Sequence, residues 1–258
     1  MAVLLDAVGP GGVDQNPFFN GQQVRFNHTG SGGDLLGLVG LSFSAADLAF
    51  GPFVLATVNL TDLTRTVTWG GTSMVSLGVI EWATDKAWTE VFALHGVPSG
   101  ELEVKANVWG GVDSWRTLRC ESMTYSGVDS VGTPVLVSGT GTAPSGSATA
   151  PTNGAVAGIF GSRAGLYTPS TSPLAQRYAN NDVIGLLMGE ARGTGSSQSI
   201  GVNRDGGGTW GGMLIPMYAA DDVATCDPLI VQPSISSTVH RLPRVGGLRR
   251  NVFTVPAE

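Results

Sequence analysis

"RTVTWGGTSMVSLGVIEW", Arg65 to Trp82, alternates like a strand, breaks at Gly70-Gly71 and then resumes. Alternation with a period of two predicts a half-buried strand, and a glycine pair between two such runs predicts a tight turn. A related pattern, "ESMTYSGVDS", follows at Glu121–Ser130. Because the two stretches share turn chemistry and no reactive group, we interpret them as corners of a β-fold rather than as a binding site.

Short strand-like runs are separated by turns at intervals of roughly 10–20 residues, which is typical of an all-β sandwich or barrel. We therefore predict an all-β fold, a jelly-roll-like antiparallel β-sandwich with an extended C-terminal arm. The predicted strands are Val24–His28, Leu35–Ser44, Phe53–Leu60, Thr66–Trp69, Met74–Trp82, Trp88–Leu94, Leu102–Val108, Arg116–Tyr125, Val135–Val137, Ala155–Phe160, Val183–Ala191 and Gly212–Ala219.

The composition favours strands over helices. Charged residues make up 13% of the 258 residues, and 38 residues are glycine. Exposed helix faces need Glu, Lys, Ala and Leu, so a low-charge, Gly-rich chain suits short strands and tight turns better. Only Ala45–Phe50 and Leu174–Asn180 are predicted as a helical turn or two. Residues 138–154, which have few large apolar side chains, are predicted as a long flexible loop.

We predict one β-sandwich domain over residues 1–227 and an arm over residues 228–258. The arm contains four prolines, which disfavour a central strand. It carries four arginines and one acid, a net charge of +3, so the rest of the chain carries −9 of the total −6. A basic segment on an acidic body suggests a separate contact surface, and a solvated terminus is the alternative. The arm residues expected to make contacts are Arg241, Arg244, Arg249, Arg250, Val252, Phe253 and Val255.

No catalytic or metal-binding motif stands out. The three histidines have no zinc-ligand spacing, and there is no G-x-S-x-G nucleophile motif. We therefore predict neither a cofactor nor a metal, and no enzymatic activity. The strand alternation predicts that the acidic residues in or beside strands face solvent, namely Glu81, Glu90, Glu101, Glu103 and Glu121.

Several partner classes are disfavoured. The acidic body argues against nucleic acid, and the absence of an 18-residue apolar run argues against a membrane span. The N-terminus has no basic region before its short apolar run, so we expect a protein made in the cytoplasm.

The six tryptophans divide into two groups. Trp69, Trp82 and Trp88 lie in alternating runs and are predicted to be core residues. Trp109 and Trp115 flank "GGVDS" in a predicted loop and are the best candidates for exposed aromatic contacts; Trp210 is a third. Exposed aromatic side chains on a β-sandwich can stack on sugar rings or anchor a protein partner.

Three stretches together carry a family resemblance. They are "TVTWGGTSM", "WTEVFALHGVPSGELEVKANV" and "ESMTYSGVDSVGTP", in this order along the chain. The sequence resembles the β-sandwich domain of minor tail proteins of tailed phages that infect actinobacteria. That domain has a V-T-aromatic-Gly-Gly turn, a P-x-G turn and an aromatic-S-G-V corner. The resemblance covers about residues 24–220, and its motifs are structural.

This resemblance implies a structural virion protein at or near the tail tip, with other tail proteins as partners and no enzymatic role. It also implies a homo-oligomer, a trimer or a higher ring, in which the arm reaches a neighbouring subunit. Two alternatives stay open: a carbohydrate-binding adhesin that recognises host cell-wall glycan, and a capsid decoration protein. The arm is not part of the common domain.

Overall fold

The computed structural model confirms an all-β sandwich. No α-helix occurs among the described residues, and every strand pairing there is antiparallel. The structure describes residues 1–16, 21–31, 34–45, 60–83, 87–110, 116–163, 167–168, 173–181, 184–204 and 206–220.

The first half of the chain forms a jelly roll. Its strands are β1 (Leu4–Val8), β2 (Gly12–Asn16), β3 (Gly21–Gly30), β4 (Leu35–Ser44), β5 (Leu63–Trp69), β6 (Thr72–Ser73), β7 (Val75–Ala83), β8 (Ala87–Val97), β9 (Gly100–Gly110) and β10 (Arg116–Ser126). One sheet has the order β2-β10-β4-β8, extended by β1 beside β10 and by β7 beside β8. The other sheet has the order β3-β9-β5-β6. We call these the first inner sheet and the first outer sheet.

The second half repeats this topology. Its strands are β11 (Val128–Val131), β12 (Val135–Thr140), β13 (Ser145–Thr149), β14 (Ala155–Arg163), β15 (Tyr167–Thr168), β16 (Ala175–Asn181), β17 (Ile184–Arg192), β18 (Ser197–Gly201), β19 (Asn203–Arg204) and β20 (Thr209–Ala219). The second inner sheet has the order β12-β20-β14-β17, extended by β11 and β16. The second outer layer consists of the pairs β13-β18 and β15-β19.

The inner sheets of the two halves have the same strand order. In the first half β10 lies between β4 on one side and β1 and β2 on the other. In the second half β20 lies in the same way between β14 and the pair β11 and β12. Two short strands at the start of each half pair with the same last strand, β1 and β2 with β10, and β11 and β12 with β20. Gly127 alone connects β10 to β11. The two halves therefore share one jelly-roll topology in their inner sheets.

The layers are held by three apolar cores. The first lies between the first outer and first inner sheets, and the third between the second inner sheet and the second outer layer. The second core joins the two inner sheets face to face and is built from both halves. Its fully buried members include Leu36, Leu38, Val91, Met123, Tyr125, Ile159, Leu186, Met188, Met213 and Ile215.

The first inner sheet is covered on both faces, which explains the sequence of β4. All ten residues of "LLGLVGLSFS" are buried, as a strand between two cores requires. Val39, Leu41 and Phe43 face the first core, and Leu36 and Leu38 face the second. The predicted strand Leu35–Ser44 is confirmed, with both of its faces buried.

The opening stretch forms a hairpin and then changes sheet. Gly70 and Gly71 have φ values of 55° and 82°, the left-handed geometry of a two-residue hairpin turn between β5 and β6. The alternation resumes in β7, which belongs to the inner sheet. The Gly70-Gly71 turn is therefore a hairpin within the first outer sheet, and the chain passes to the inner sheet at Met74, between β6 and β7.

Several predictions of irregular structure are wrong. The predicted loop 138–154 contains the end of β12 and all of β13. The small side chains of Ala148 and Ala150 are buried in the third core, so strands form here without large apolar residues. The predicted helical turn Leu174–Asn180 is instead occupied by most of β16 (Ala175–Asn181), which pairs with β17.

Other predictions fall outside the described residues. These are the strand over residues 53–59, the helical turn over residues 46–50, the arm over residues 228–258 and the domain boundary at residue 227. They stay predictions.

The close approach of the inner sheets predicts the effect of one substitution. A Cβ at Gly161 of β14 would overlap Thr89 Oγ1 and lie 2.8 Å from Ser42 Oγ, both in the first inner sheet. We expect Gly161→Ala to lower the free energy of unfolding by about 1–3 kcal/mol, the usual effect of overpacking. Urea denaturation measures this change.

Gly207→Ala is the matched control, because a Cβ at Gly207 meets nothing within 4 Å. Its effect should stay within about 0.5 kcal/mol. Equal midpoints for the two variants would show that the inner sheets do not need the small residue.

Candidate functional site

The three candidate tryptophans differ in how far they are exposed to solvent and in whether the structure describes them. Trp109, near the end of β9, is 48% exposed, as an aromatic contact surface requires. Trp210 is only 7% exposed and packs edge-on against Phe160 in the third core, with ring centroids 6.5 Å apart. Its interpretation as an exposed platform is therefore wrong, because β20 turns this side chain inward. Trp115 lies outside the described residues. The predicted core residues Trp69, Trp82 and Trp88 are buried.

The indole ring of Trp109 packs directly over Gly21. It pairs with Gly21 of β3 on one side and with Thr64 of β5 on the other. Its six-membered ring occupies the space that a Cβ of Gly21 would fill, so no other residue fits there without displacing the indole. The ring is thus held against the sheet while about half of the side chain stays open to solvent.

Polar side chains continue the exposed face of the first outer sheet. We call this surface the Trp109 face; it comprises the outward residues of three neighbouring strands. They are Gly21, Gln23, Arg25, Asn27 and Thr29 of β3, Glu101, Glu103, Lys105, Asn107 and Trp109 of β9, and Thr64, Thr66 and Thr68 of β5. Inward residues of the same strands, such as Val67, Val104 and Val108, belong to the first core.

An amide row lies next to Trp109. Gln23 Nε2 donates to Asn107 Oδ1 at 2.5 Å, and Asn107 Nδ2 donates to Thr66 Oγ1 at 3.3 Å. The backbone N–H of Gln23 donates to Asp14 Oδ2 at 2.8 Å, which ties β3 to β2. The row therefore presents oriented amide and hydroxyl groups to solvent beside an aromatic ring.

Charged groups follow further along the face. Arg25 and Lys105 are direct cross-strand partners. Arg25 Nε donates to Gln23 Oε1 at 2.5 Å, and Arg25 Nη1 lies 4.0 Å from Glu103 Oε2. Asn27 Nδ2 donates to Glu101 Oε1 at 2.5 Å at the far end.

This arrangement suits binding rather than covalent chemistry. An exposed indole offers an apolar surface for stacking, and neighbouring amides and hydroxyls supply directional hydrogen bonds. Both are held on adjacent strands of one sheet, which fixes their spacing at about 6.7 Å per two residues along a strand.

Two of the acidic residues predicted to face solvent are buried. Glu81, Glu101 and Glu103 are exposed, but Glu90 and Glu121 are 2% and 0% exposed. The prediction is wrong for these two because they lie in β8 and β10, central strands of the first inner sheet that are buried on both faces at these positions. Alternation there directs each side chain into one core or the other, whereas Glu81 lies in the edge strand β7.

Glu90 is balanced by an ion pair within the first jelly roll. Arg65 Nε lies 2.7 Å from Glu90 Oε2, and Ser76 Oγ donates to Glu90 Oε1 at 2.7 Å. The Arg65 guanidinium also lies over the Trp88 ring, 5.7 Å from its centroid. Burial raises the pKa of Glu90, while Ser76 and Arg65 oppose that rise.

Glu121 lies on the face of β10 that turns toward the second jelly roll. Its Oε1 accepts the Ser122 backbone N–H at 2.8 Å, and its Oε2 has no hydrogen-bond partner. Oε2 fills the position that a Cβ of Gly11 would take, close to the Tyr178 hydroxyl. Burial raises the pKa of Glu121 to about 8, so its carboxyl is mostly neutral at pH 7.

A buried histidine network has the composition of an acid–base relay. His28 Nδ1 lies 2.7 Å from Ser122 Oγ, His28 Nε2 lies 3.1 Å from Thr124 Oγ1, and Thr124 Oγ1 donates to Asp6 Oδ2 at 2.9 Å. His28 is 1% exposed and Ser122 and Thr124 have no exposed surface, so a ligand in solution cannot reach them in this structure. Burial lowers the pKa of His28 to about 4. The network fastens β1 and β3 to β10.

Sequence reasoning missed the Trp109 face apart from Trp109 itself. Alternation in Leu102–Val108 placed Lys105 and Asn107 on one face, and this signal was available. The contribution of Gly21, Gln23 and Arg25 depends on the register between β3 and β9, which residues so distant in sequence do not reveal.

Comparisons of this chain with protein-family models, curated proteins and solved structures gave no match. Among the described residues, no group of three or more His, Cys, Asp or Glu side chains could hold a metal ion. Within the same part of the chain, no helix is long and apolar enough to cross a membrane.

The buried carboxyl predicts how stability depends on pH. Glu121 keeps its proton up to about pH 8 in the folded state but loses it near pH 4.5 when unfolded, so its contribution falls as pH rises between these values. His28 acts oppositely, and only below pH 6.5. We therefore expect the free energy of unfolding to fall by about 1–2 kcal/mol from pH 6.5 to pH 8, and Glu121→Gln to remove this fall.

Denaturation midpoints at several pH values measure the slope. Glu101→Gln is the matched control, because Glu101 is exposed and its substitution should leave the slope unchanged. A Glu121→Gln slope identical to that of the wild type would contradict the assignment.

Proposed function

We propose that this protein is a non-enzymatic structural component of a phage tail, at or near the tail tip of a tailed phage of actinobacteria. The support comes from the order and type of the three sequence motifs that resemble minor tail proteins. The all-β body agrees with the β-sandwich that this resemblance implies.

The observation that carries the proposal is where these motifs lie. The first, at Thr66–Met74, makes the hairpin between β5 and β6. The second, Val97–Gly100, connects β8 to β9 across the two sheets, and the third, Tyr125–Val128, connects the two jelly rolls. The resemblance therefore rests on the corners that define the fold rather than on scattered matches.

Assembly is the second part of the proposal. We infer a homo-oligomer, a trimer or a higher ring, that contacts other tail proteins in the virion. The basic arm, with its arginines followed by Val252, Phe253 and Val255, would extend onto a neighbouring subunit and gain affinity from main-chain pairing and side-chain pockets. Closed symmetry is the usual form of a homo-oligomer.

Deletion of residues 228–258 tests the role of the arm. We expect the remaining chain to fold, with an unchanged far-ultraviolet spectrum, but to lose ring assembly and incorporation into phage particles. Light scattering and immunogold labelling of particles measure the two effects. A truncated protein that assembles and incorporates normally would refute the proposed role of the arm in assembly. Gold labelling on the capsid rather than the tail would favour a capsid decoration protein.

The Trp109 face favours a second candidate function, a carbohydrate-binding adhesin that contacts host cell-wall glycan. Its support is the half-exposed indole of Trp109 beside the oriented Gln23–Asn107–Thr66 row. The two functions are compatible, because a tail component can itself be the adhesin.

Substitution of the indole tests this second function. We expect Trp109→Ala to weaken binding to purified host cell-wall polysaccharide about tenfold or more, as loss of a central aromatic contact does. Ser147→Ala, on the exposed face of β13 in the other jelly roll, should bind like the wild type. Equal binding by both variants would refute the Trp109 contact.

A further inference from the structure

The Trp109 face has a charge arrangement that its own fold does not explain. Arg25 and Lys105 lie directly opposite each other on β3 and β9. Like charges in this cross-strand position repel and destabilise a sheet. Opposite charges or neutral side chains at either position would remove this cost, so the pair requires another reason.

The surrounding acids compensate this pair only weakly. Glu103 lies 4.0 Å from Arg25, and both side chains are about half exposed, so water screens their attraction. Glu101 is engaged with Asn27 instead. Within the described part of the chain, no ion pair is formed by Lys105. An anionic group from solution would therefore find a forked guanidinium and an ammonium on adjacent strands.

The cationic pair is in line with the indole. Along β9, Trp109 is followed on the same face by Asn107 and then by Lys105, a span of about 13 Å. A ligand lying along this strand meets an aromatic ring, then amide and hydroxyl groups, then two cations. The first two features fit a sugar ring and its hydroxyls, and the third fits an acidic substituent.

We propose that the Trp109 face binds an acidic oligosaccharide. Trp109 stacks against one sugar ring, the Gln23–Asn107–Thr66 row binds ring hydroxyls, and Arg25 with Lys105 binds a carboxylate two rows away. This inference rests on the adhesin function proposed above and adds the ligand's charge class. The adjacent cations Arg25 and Lys105 favour this occupant over a neutral glycan.

The second jelly roll supplies an internal comparison. The corresponding exposed face of β13 and β18 carries only Ser145, Ser147, Thr149, Ser197 and Ser199. It has hydroxyl groups but neither an aromatic ring nor a charge. The described β13–β18 face therefore differs from the β3–β9 face, which carries an aromatic ring, amides and two cations.

Calorimetric titration of the full chain with defined oligosaccharides tests the proposal. The probes are oligogalacturonate as the carboxylated ligand, a sulfated oligosaccharide, neutral cello-oligosaccharide and single-stranded oligodeoxynucleotide. We expect oligogalacturonate to bind most tightly, Trp109→Ala to weaken it about tenfold, and the double variant Arg25→Gln, Lys105→Gln to weaken it to a similar extent. Neutral ligand affinity should not change in the double variant.

Glu103→Gln is a second test, because it should increase affinity and a misfolded variant would not bind more tightly. Removing this carboxylate frees Arg25 and should strengthen oligogalacturonate binding about two- to fivefold. Glu81→Gln, which removes an exposed carboxylate of β7 outside the Trp109 face, is the matched control and should change nothing.

The outcomes separate the two levels of the proposal. If neutral and acidic ligands bind equally and both depend on Trp109, the ligand is not specifically acidic, but the adhesin function stands. Binding of no saccharide, or binding that depends on the cations and not on Trp109, would overturn the whole site. Equal or tighter binding of sulfated ligand or oligonucleotide would identify a general polyanion surface and overturn the carboxylate assignment.

Discussion

The face-to-face packing of the two inner sheets is the constraint on which the rest of the structure depends. The central strands of each inner sheet are buried on both faces, since one face meets their own outer layer and the other meets the opposite jelly roll. This explains uninterrupted apolar strands such as β4 and the small residue Gly161 at the contact. Among the described residues, the central strands of the inner sheets have no solvent face, whereas the first outer sheet has one, and that face carries Trp109.

The same packing confers unusual properties on a few polar side chains. Arg119 of β10 donates from Nε to the Ile184 carbonyl of the other half at 3.0 Å, which replaces water with a directional contact. Glu121, two residues along the same face, has no such partner for Oε2 and holds a proton instead. Such groups contribute little to stability, but they disfavour other registers between the sheets, because a shifted arrangement would leave more of them unpaired.

The sequence predicted what short-range periodicity encodes. β4, β8 and β10 were located within a few residues, because large apolar and β-branched side chains mark strands that fill a thick core. β13 and β18 were missed, because a thin core needs only residues such as Ala148 and Ile200 and their strands look like Ser-rich loops. The burial of Glu121 was missed because it depends on a layer contributed by residues far along the chain. The Trp109 face was half predictable: its ring was found, but its neighbours depend on strand register.

The single residue between β10 and β11 has a consequence for how the halves associate. Two separate copies of a jelly roll with an apolar inner sheet would pair by mass action, and dilution would separate them. Here Gly127 links one half directly to the other, so their pairing is intramolecular. Pairing is therefore independent of how many copies are present. In a symmetric dimer both subunits have the same sequence, so a surface residue changes in both. Here each half has its own sequence, and the outer surface can differ between them, as Trp109 in one half and Ser147 in the other show.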